Sequence, residues 1–300
     1  MFLYRCVLGR EAPGNQTKNG VVGQDNGPGS RSIVAKTVDD CKVGSRRRWQ
    51  AGRVEARTGG NMRQYVIHPL VVGVNETDQG ILTYQRGYGK RIVLPILAFY
   101  LEGGPEKILV DTGLDQFVVP PGVEEKYGLA VFEFEDALSH YGLAPNDIDI
   151  IIHTHLHNDH CENDYRCENV RVYAQQAEID FMRDPHPIDH RYFPDLFEGV
   201  NLIPVHGDRE ITEGVSVLLT PGHTAGGQSV VVNTRAGKAV ITGFCASLDN
   251  FPRGEGVIAP GVHLDAIQAY DSVKKVKEIA DIIIPLHDLS IARKVSIPEE

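Results

Sequence analysis

The chain has 300 residues and a mass of 33.1 kDa, too long for a small stapled domain and suited to one large or two modest domains. With 42% hydrophobic and 23% charged residues, it reads as a soluble globular chain and not as a disordered, collagen-like or coiled-coil one. The net charge of −10 is unevenly spread: residues 1–61 carry 11 Lys and Arg against 5 Asp and Glu, and the remainder carries 19 against 35.

Residues 1–61 hold 10 of the 31 glycines and the only tryptophan, Trp49. They show no sustained period of 2 or 3.6, and stretches such as 20–32 and Arg46-Arg47-Arg48 read as solvated coil. A basic patch is one way to hold nucleic acid, but the expectation here is a disordered or non-native basic leader and no nucleic-acid partner. Residues 1–8 are too short and too soon interrupted by charge for a secretory signal, and Met62 opens a segment that reads as an ordinary start. No window approaches 18 consecutive apolar residues, so no membrane-spanning helix is expected. Five cysteines are few and odd in number, which argues against a disulfide framework and for a reducing, cytoplasmic compartment.

From Met62 onward short apolar runs alternate with helical stretches. Strands are predicted at 66–73, 92–101, 107–111, 149–153, 170–174, 215–220, 229–233, 238–243 and 281–285. Helices are predicted at 133–140, closed by Gly142, at 177–183, stopped by Pro185, and at 265–280. In the last, Asp265 is the expected N-cap, and Ile267, Tyr270, Val273, Val276 and Ile279 or Ala280 form an apolar stripe. Strands in hairpin succession followed by strands separated by helices predict sheets covered by helices, an α/β (α+β) fold.

The chemistry is concentrated in Ile151-Ile152-His153-Thr154-His155-Leu156-His157-Asn158-Asp159-His160. Packing gives no reason to crowd groups that repel one another when protonated, whereas divalent ions bind neutral imidazole and carboxylate. His155 and His157, two apart at the end of an apolar run, point to one side in extended conformation. Asp159 and His160 face the same cavity once the chain turns. With distant histidines, the cluster suffices for one or two ions.

The stretch resembles the metallo-β-lactamase superfamily, whose signature Thr-His-x-His-x-Asp-His is matched by Thr154, His155, His157, Asp159 and His160. The resemblance extends from Val110-Asp111-Thr112-Gly113 through Thr220-Pro221-Gly222-His223-Thr224-Ala225-Gly226 to Pro285-Leu286-His287-Asp288. It implies an αββα sandwich over 62–300, with one metal at His155, His157 and His223 and a second at Asp159, His160 and His287. Asp111 would orient a ligand imidazole or nearby backbone; the competing reading is a turn or cap residue before Gly113. The order of motifs looks most like the N-acyl-homoserine lactonase branch.

One departure stands out. Where two-metal members carry a bridging aspartate, this chain reads Ile241-Thr242-Gly243-Phe244-Cys245-Ala246-Ser247, and the tyrosine usual shortly after is missing too. Cys245 could ligate as thiolate or pack as a small hydrophobe. Cys161 and Cys167 read as reduced bystanders, His153 as a buried hydrogen-bonded residue, and His206 as structural or at the rim. The 177–199 insertion, with His186, His190, Tyr192 and Phe193, suits a flap over a substrate pocket or a surface segment packing its own aromatics. The 73–90 stretch, with Tyr84 and Tyr88, is a second possible pocket wall. The expected activity is a metal-dependent hydrolase (zinc, with manganese or iron as alternatives) that opens a small lactone, ester or related carbonyl substrate through metal-bound hydroxide. Asp159 would accept a proton. The alternatives are an iron-dependent oxidoreductase, a glyoxalase II-like thioester hydrolase, and a non-catalytic protein that has kept the metal site. A homodimer is a possible assembly.

Overall fold

A computed structural model describes residues 62–299; the leader expected over 1–61 lies outside the described residues. Those residues form two sheets. In the first, β1 (Val66–Asp78) and β2 (Arg91–Glu102) make a long antiparallel hairpin and β3 (Ile108–Val110) pairs antiparallel with β2. Then β4 (Ile150–Ile152), β5 (Arg171–Gln175) and β6 (Leu202–Val205) add on in parallel. In the second, β7 (Arg209–Thr212), β8 (Val215–Leu219), β9 (Gln228–Thr234) and β10 (Gly237–Ile241) run antiparallel, and β11 (Ile282–Ile284) pairs parallel with β10.

Strand alternation builds the layers, because successive side chains point to opposite faces. Leu97, Phe99 and Leu101, Ile150 and Ile152, Val230 and Val232, and Ala239 and Ile241 meet in the core between the sheets. Their neighbours Ile96, Ala98 and Ile151 face outward under Phe134, Ala137 and Leu138 of α2 (Phe134–Ser139). Val231 and Val240 face outward under Val273 and Val276 of α5 (Ala266–Ile279). The order is helix, sheet, sheet, helix, as the family resemblance implied.

All nine expected strands form, and two more were not anticipated. β6 and β7 close opposite sheets as edge strands; β6 carries Pro204, and both are largely part-exposed, so neither has the apolar run that marks a central strand. Short helices such as α1 (Val123–Tyr127) and α3 (Asn158–Cys161) are likewise below the length at which a period can be read. Asp265 caps α5 as expected, accepting from the Ile267 and Gln268 backbone N–H groups at 2.9 and 3.0 Å. The stripe expected on α5 is corrected. Ile267 is 76% exposed and Tyr270 39%, and the buried face is Ala269, Ser272, Val273 and Val276. The cause is a close approach. A Cβ on Gly222, whose φ is +116°, would lie 2.1 Å from the Ala269 nitrogen, and the Ser272 hydroxyl donates to the Pro221 carbonyl at 2.7 Å. Only small residues fit where the Pro221-Gly222 turn lies on the helix.

Candidate metal centre

Five chain segments converge at one edge of the sandwich. Asp111 follows β3, residues 153–160 follow β4, residues 220–227 link β8 to β9, residues 242–245 follow β10, and His287 follows β11. Gln228 ties the two sheets here: its N–H donates to the Thr154 carbonyl at 2.8 Å and its Nε2 to the His153 carbonyl at 2.8 Å. The convergence forms two trios. In each of His155, His157, His223 and Asp159, His160, His287, the candidate ligand atoms all lie within 4.8 Å of one another. The trios adjoin, with the His155 and His160 rings 4.1 Å apart between centroids.

Each of the five imidazoles has one nitrogen turned to a protein oxygen. His223 Nδ1 meets the Val262 carbonyl at 2.7 Å and His287 Nδ1 the Pro95 carbonyl at 2.9 Å. His160 Nδ1 meets Asp111 Oδ2 at 2.8 Å, His155 Nδ1 the Thr154 hydroxyl at 3.0 Å, and His157 Nε2 Asp189 Oδ2 at 3.0 Å. An oxygen partner assigns the proton to that nitrogen and leaves the other as a bare lone pair. His160 Nε2 is such an atom, buried and without a hydrogen-bond partner. This arrangement suits a cation: imidazoles with tautomers fixed by oxygen partners, one ligand atom each converging on a shared space, and a carboxylate.

The electrostatics favour the neutral form at four of the five histidines. Burial and neighbouring imidazoles hold His155 and His223 well below the ordinary histidine range, and burial with the His160 charge lowers His287 to about 4. Burial also depresses His157. His160 is raised: burial opposes its charge, but Asp159 and Asp111 outweigh burial. Asp159 is lowered, because His160 and His287 more than offset its burial.

Asp111 is the hub behind the trios. Its carboxylate also accepts from the Thr154 N–H at 2.8 Å and the Thr154 hydroxyl at 2.7 Å, and the backbone adopts a left-handed φ of +59° there. Such a conformation persists only where surrounding bonds over-determine it. His153 is buried and hydrogen-bonded as expected, with Asp164 Oδ2 at 2.7 Å from Nε2; burial opposes its charge, but Asp164 and Asp111 raise it to about 10. His206 is exposed.

The structure does not bring the remaining candidates into either trio. Cys245 is buried outside both, and burial with Asp159 nearby pushes its thiol up to about 12. Cys161 and Cys167 are free and buried. In the insertion, His186 and His190 are exposed and Phe193 is 47% exposed. Tyr192 is buried with Ile179, Met182 and Phe197; its ring lies edge-on to His157 and its hydroxyl donates to Glu178 at 2.7 Å. Tyr84 is 38% exposed with its ring against His263.

Three residues escaped the sequence reading. Asp189 holds His157, and Arg191 clamps Asp189 through Nε and Nη2, both at 2.7 Å. Glu178, on α4 (Gln176–Arg183), accepts from the Leu156 N–H at 3.0 Å and the Gly226 N–H at 2.8 Å, tying the His155–His157 loop to the His223 loop. No motif spacing marks any of the three, because Asp189 and Glu178 reach the ligand loops across 22 to 48 positions that only folding closes, and Arg191 acts through Asp189.

Comparison with known proteins agrees with this geometry. Residues 91–278 match the family model described as the metallo-beta-lactamase superfamily. An N-acyl homoserine lactonase of a Bacillus species is 28% identical over 210 residues, covering 64% of this chain and 78% of the relative. A probable metallo-hydrolase of Methanocaldococcus jannaschii is 32% identical over 151 residues, covering 50% and 62%. Among solved structures, an N-acyl homoserine lactone hydrolase with the product N-hexanoyl-L-homoserine bound at its catalytic metal centre superposes with a TM-score of 0.61 at 25% identity, covering 76% of this chain and 95% of that one. With the family match spanning more than half of its length and the paired histidine trios in place, the chain belongs to the metallo-beta-lactamase superfamily.

Proposed function

We propose that the protein is a metal-dependent hydrolase that opens lactones or closely related carbonyl esters of small molecules, in the manner of the N-acyl homoserine lactonases it resembles. The observation that carries the reading is the pair of trios in which every histidine has one nitrogen held by an oxygen and the other free to ligate. One ion would be held by His155, His157 and His223 and a second by Asp159, His160 and His287. Nitrogen and carboxylate donors in sets of three suit zinc, with manganese and iron distinguishable by elemental analysis. When bound, such an ion supplies a Lewis acid for the scissile carbonyl and lowers the pKa of water towards about 7.

The chain's own residues do the rest. Asp159, whose side chain is 26% exposed and whose Oδ2 lies 3.6 Å from His160 Nε2, is the carboxylate placed to orient an attacking water and to take its proton through Oδ. Asp111 holds the proton on His160 Nδ1 and, through the Thr154 hydroxyl, the one on His155 Nδ1. Asp189 does the same for His157. These bonds fix tautomer and ring plane, so no ligand must reorganise during the reaction. We place the hydrolase domain at 62–300. The low cysteine count, with Cys161, Cys167 and Cys245 free among the described residues, supports a cytoplasmic setting.

The test is a panel of lactones, esters and thioesters, run beside elemental analysis of the purified protein. Turnover of a lactone or ester with zinc or manganese bound, lost by a factor of a hundred or more in His155→Ala, supports the reading. Wild-type rates in His155→Ala, or stoichiometric iron with oxygen consumption, would overturn it.

A further inference from the structure

The chain has no carboxylate over 243–247, where the family resemblance implies a bridging aspartate, and the 184–193 loop carries a cation, Arg191, beside the His157–Asn158 ligand loop. Arg191 sits on a loop pinned to the ligand loop at two points, through the Arg191 carbonyl, which accepts from the Asn158 N–H at 3.0 Å, and through Asp189 on His157. Its guanidinium is committed on one edge only. Nε and Nη2 hold Asp189, whose side chain is 2% exposed, while Nη1 takes no partner among the described residues and the arginine side chain is 30% exposed. Three of its five N–H groups, those on Nη1 and the outer one on Nη2, therefore remain to donate. Through Asp189, which meets His157 Nε2 at 3.0 Å, the guanidinium stands one carboxylate away from the first trio.

A guanidinium whose base is clamped by a buried carboxylate cannot swing away, and its outer edge is the planar fork that matches a carboxylate with two parallel bonds. A neutral substrate would leave those donors to water; a carboxylate would satisfy them beside the reacting centre. We propose that Arg191 is a specificity-determining residue that receives a carboxylate carried by the substrate, so that the preferred substrate is an anionic lactone or ester, with its carboxylate adjacent to the bond that is opened. The inference rests on the hydrolase reading and names its substrate class. The chain-wide acidic balance does not set this preference, because screening confines distant surface charge to about 10 Å at moderate salt, whereas the fork meets the substrate directly.

The probes are γ-butyrolactone-γ-carboxylate and the matching carboxamide, which have the same ring and scissile bond and differ in charge. For the metal-loaded wild type, kcat/KM is expected to favour the carboxylate at least tenfold. In Arg191→Gln the preference falls to twofold or less, and in Arg191→Lys, which keeps charge without the fork, to an intermediate value. A wild-type preference below twofold overturns the proposal, as does a preference that survives intact in Arg191→Gln, including the case where both substrates slow equally. A second measurement needs no turnover: calorimetric binding of 2-hydroxyglutarate, the ring-opened product, against its 1-carboxamide. Tighter binding of the dicarboxylate by the wild type, lost in Arg191→Gln, supports the subsite, and equal binding overturns it. Absence of turnover on both lactones would count against the hydrolase reading alone, with the calorimetry still deciding the role of Arg191.

Discussion

Replacing Asp111 by Asn keeps the shape of the side chain and removes its charge and one of its two acceptor oxygens. In the native protein Oδ1 accepts the Thr154 N–H, and Oδ2 accepts both the Thr154 hydroxyl and His160 Nδ1–H, all within 2.7–2.8 Å, in a site with no solvent exposure. An amide turned either way puts N–H against a buried donor. If it replaces Oδ2, His160 can recover only by moving its proton to Nε2, the atom that would ligate. Bonds to charged groups contribute about 1.5–3 kcal/mol each and a stranded buried donor costs about 1–3 kcal/mol, so the metal-free variant should lose about 3–5 kcal/mol in urea unfolding. Metal affinity should fall about 10–100-fold, the usual effect of losing such an orienting partner, as read by competition with a chromophoric chelator. The pH dependence has a definite sign. Burial opposes ionisation of Asp111, but His160 and His153 outweigh it and lower its pKa; the stability it contributes is therefore present above about pH 4, the unfolded value, and is lost as pH falls through the depressed folded value. Asp111→Asn should flatten that acid limb. A variant within 0.5 kcal/mol of the native protein and with native metal affinity would refute the role assigned to the hub.

Glu178→Ala strands the N–H groups of Leu156 and Gly226 and the Tyr192 hydroxyl and should destabilise by about 3–6 kcal/mol, with Glu178→Gln losing less; equal stability of Glu178→Ala and wild type in urea would show that the link between the two ligand loops is idle. Gly222→Ala meets both an unfavourable φ of +116° and the Ala269 nitrogen at 2.1 Å, so beyond a strain of about 1–3 kcal/mol it should displace His223 and lower metal occupancy in elemental analysis more than a helix-surface control such as Lys274→Ala. Burial raises the Cys167 thiol to about 12, above the unfolded value of about 8.5. Its contribution is therefore intact below about pH 8.5 and is lost as pH rises towards 12, and Cys167→Ala should show a shallower alkaline decline in melting temperature than wild type.

Much of the candidate site is legible in the amino-acid order because ligation imposes a local grammar. His155, His157, Asp159 and His160 sit within six positions, at the end of a run of isoleucines that had to be a buried strand, and His223 and His287 each lie in a short Gly- or Pro-marked turn after another strand. Period-two apolar runs also disclose the central strands and the two-sheet, helix-covered class. The edge strands β6 and β7 leave no such mark, since water satisfies one side of each. Tertiary structure alone decided which face α5 buries: Ile267 and Tyr270 look like core in the sequence, but the Gly222 turn lies so close to the helix that Ala269 and Ser272 must face inward. It also decided the partners of the imidazoles. The Val262 and Pro95 carbonyls carry no side-chain signal, Asp189 with its clamp Arg191 reaches His157 only once the loops after β4 and β5 pack together, and Glu178 meets Gly226 only when the two sheets close on each other. Ligand identity is a property of residue type and spacing, whereas ligand orientation depends on oxygens that folding brings into place.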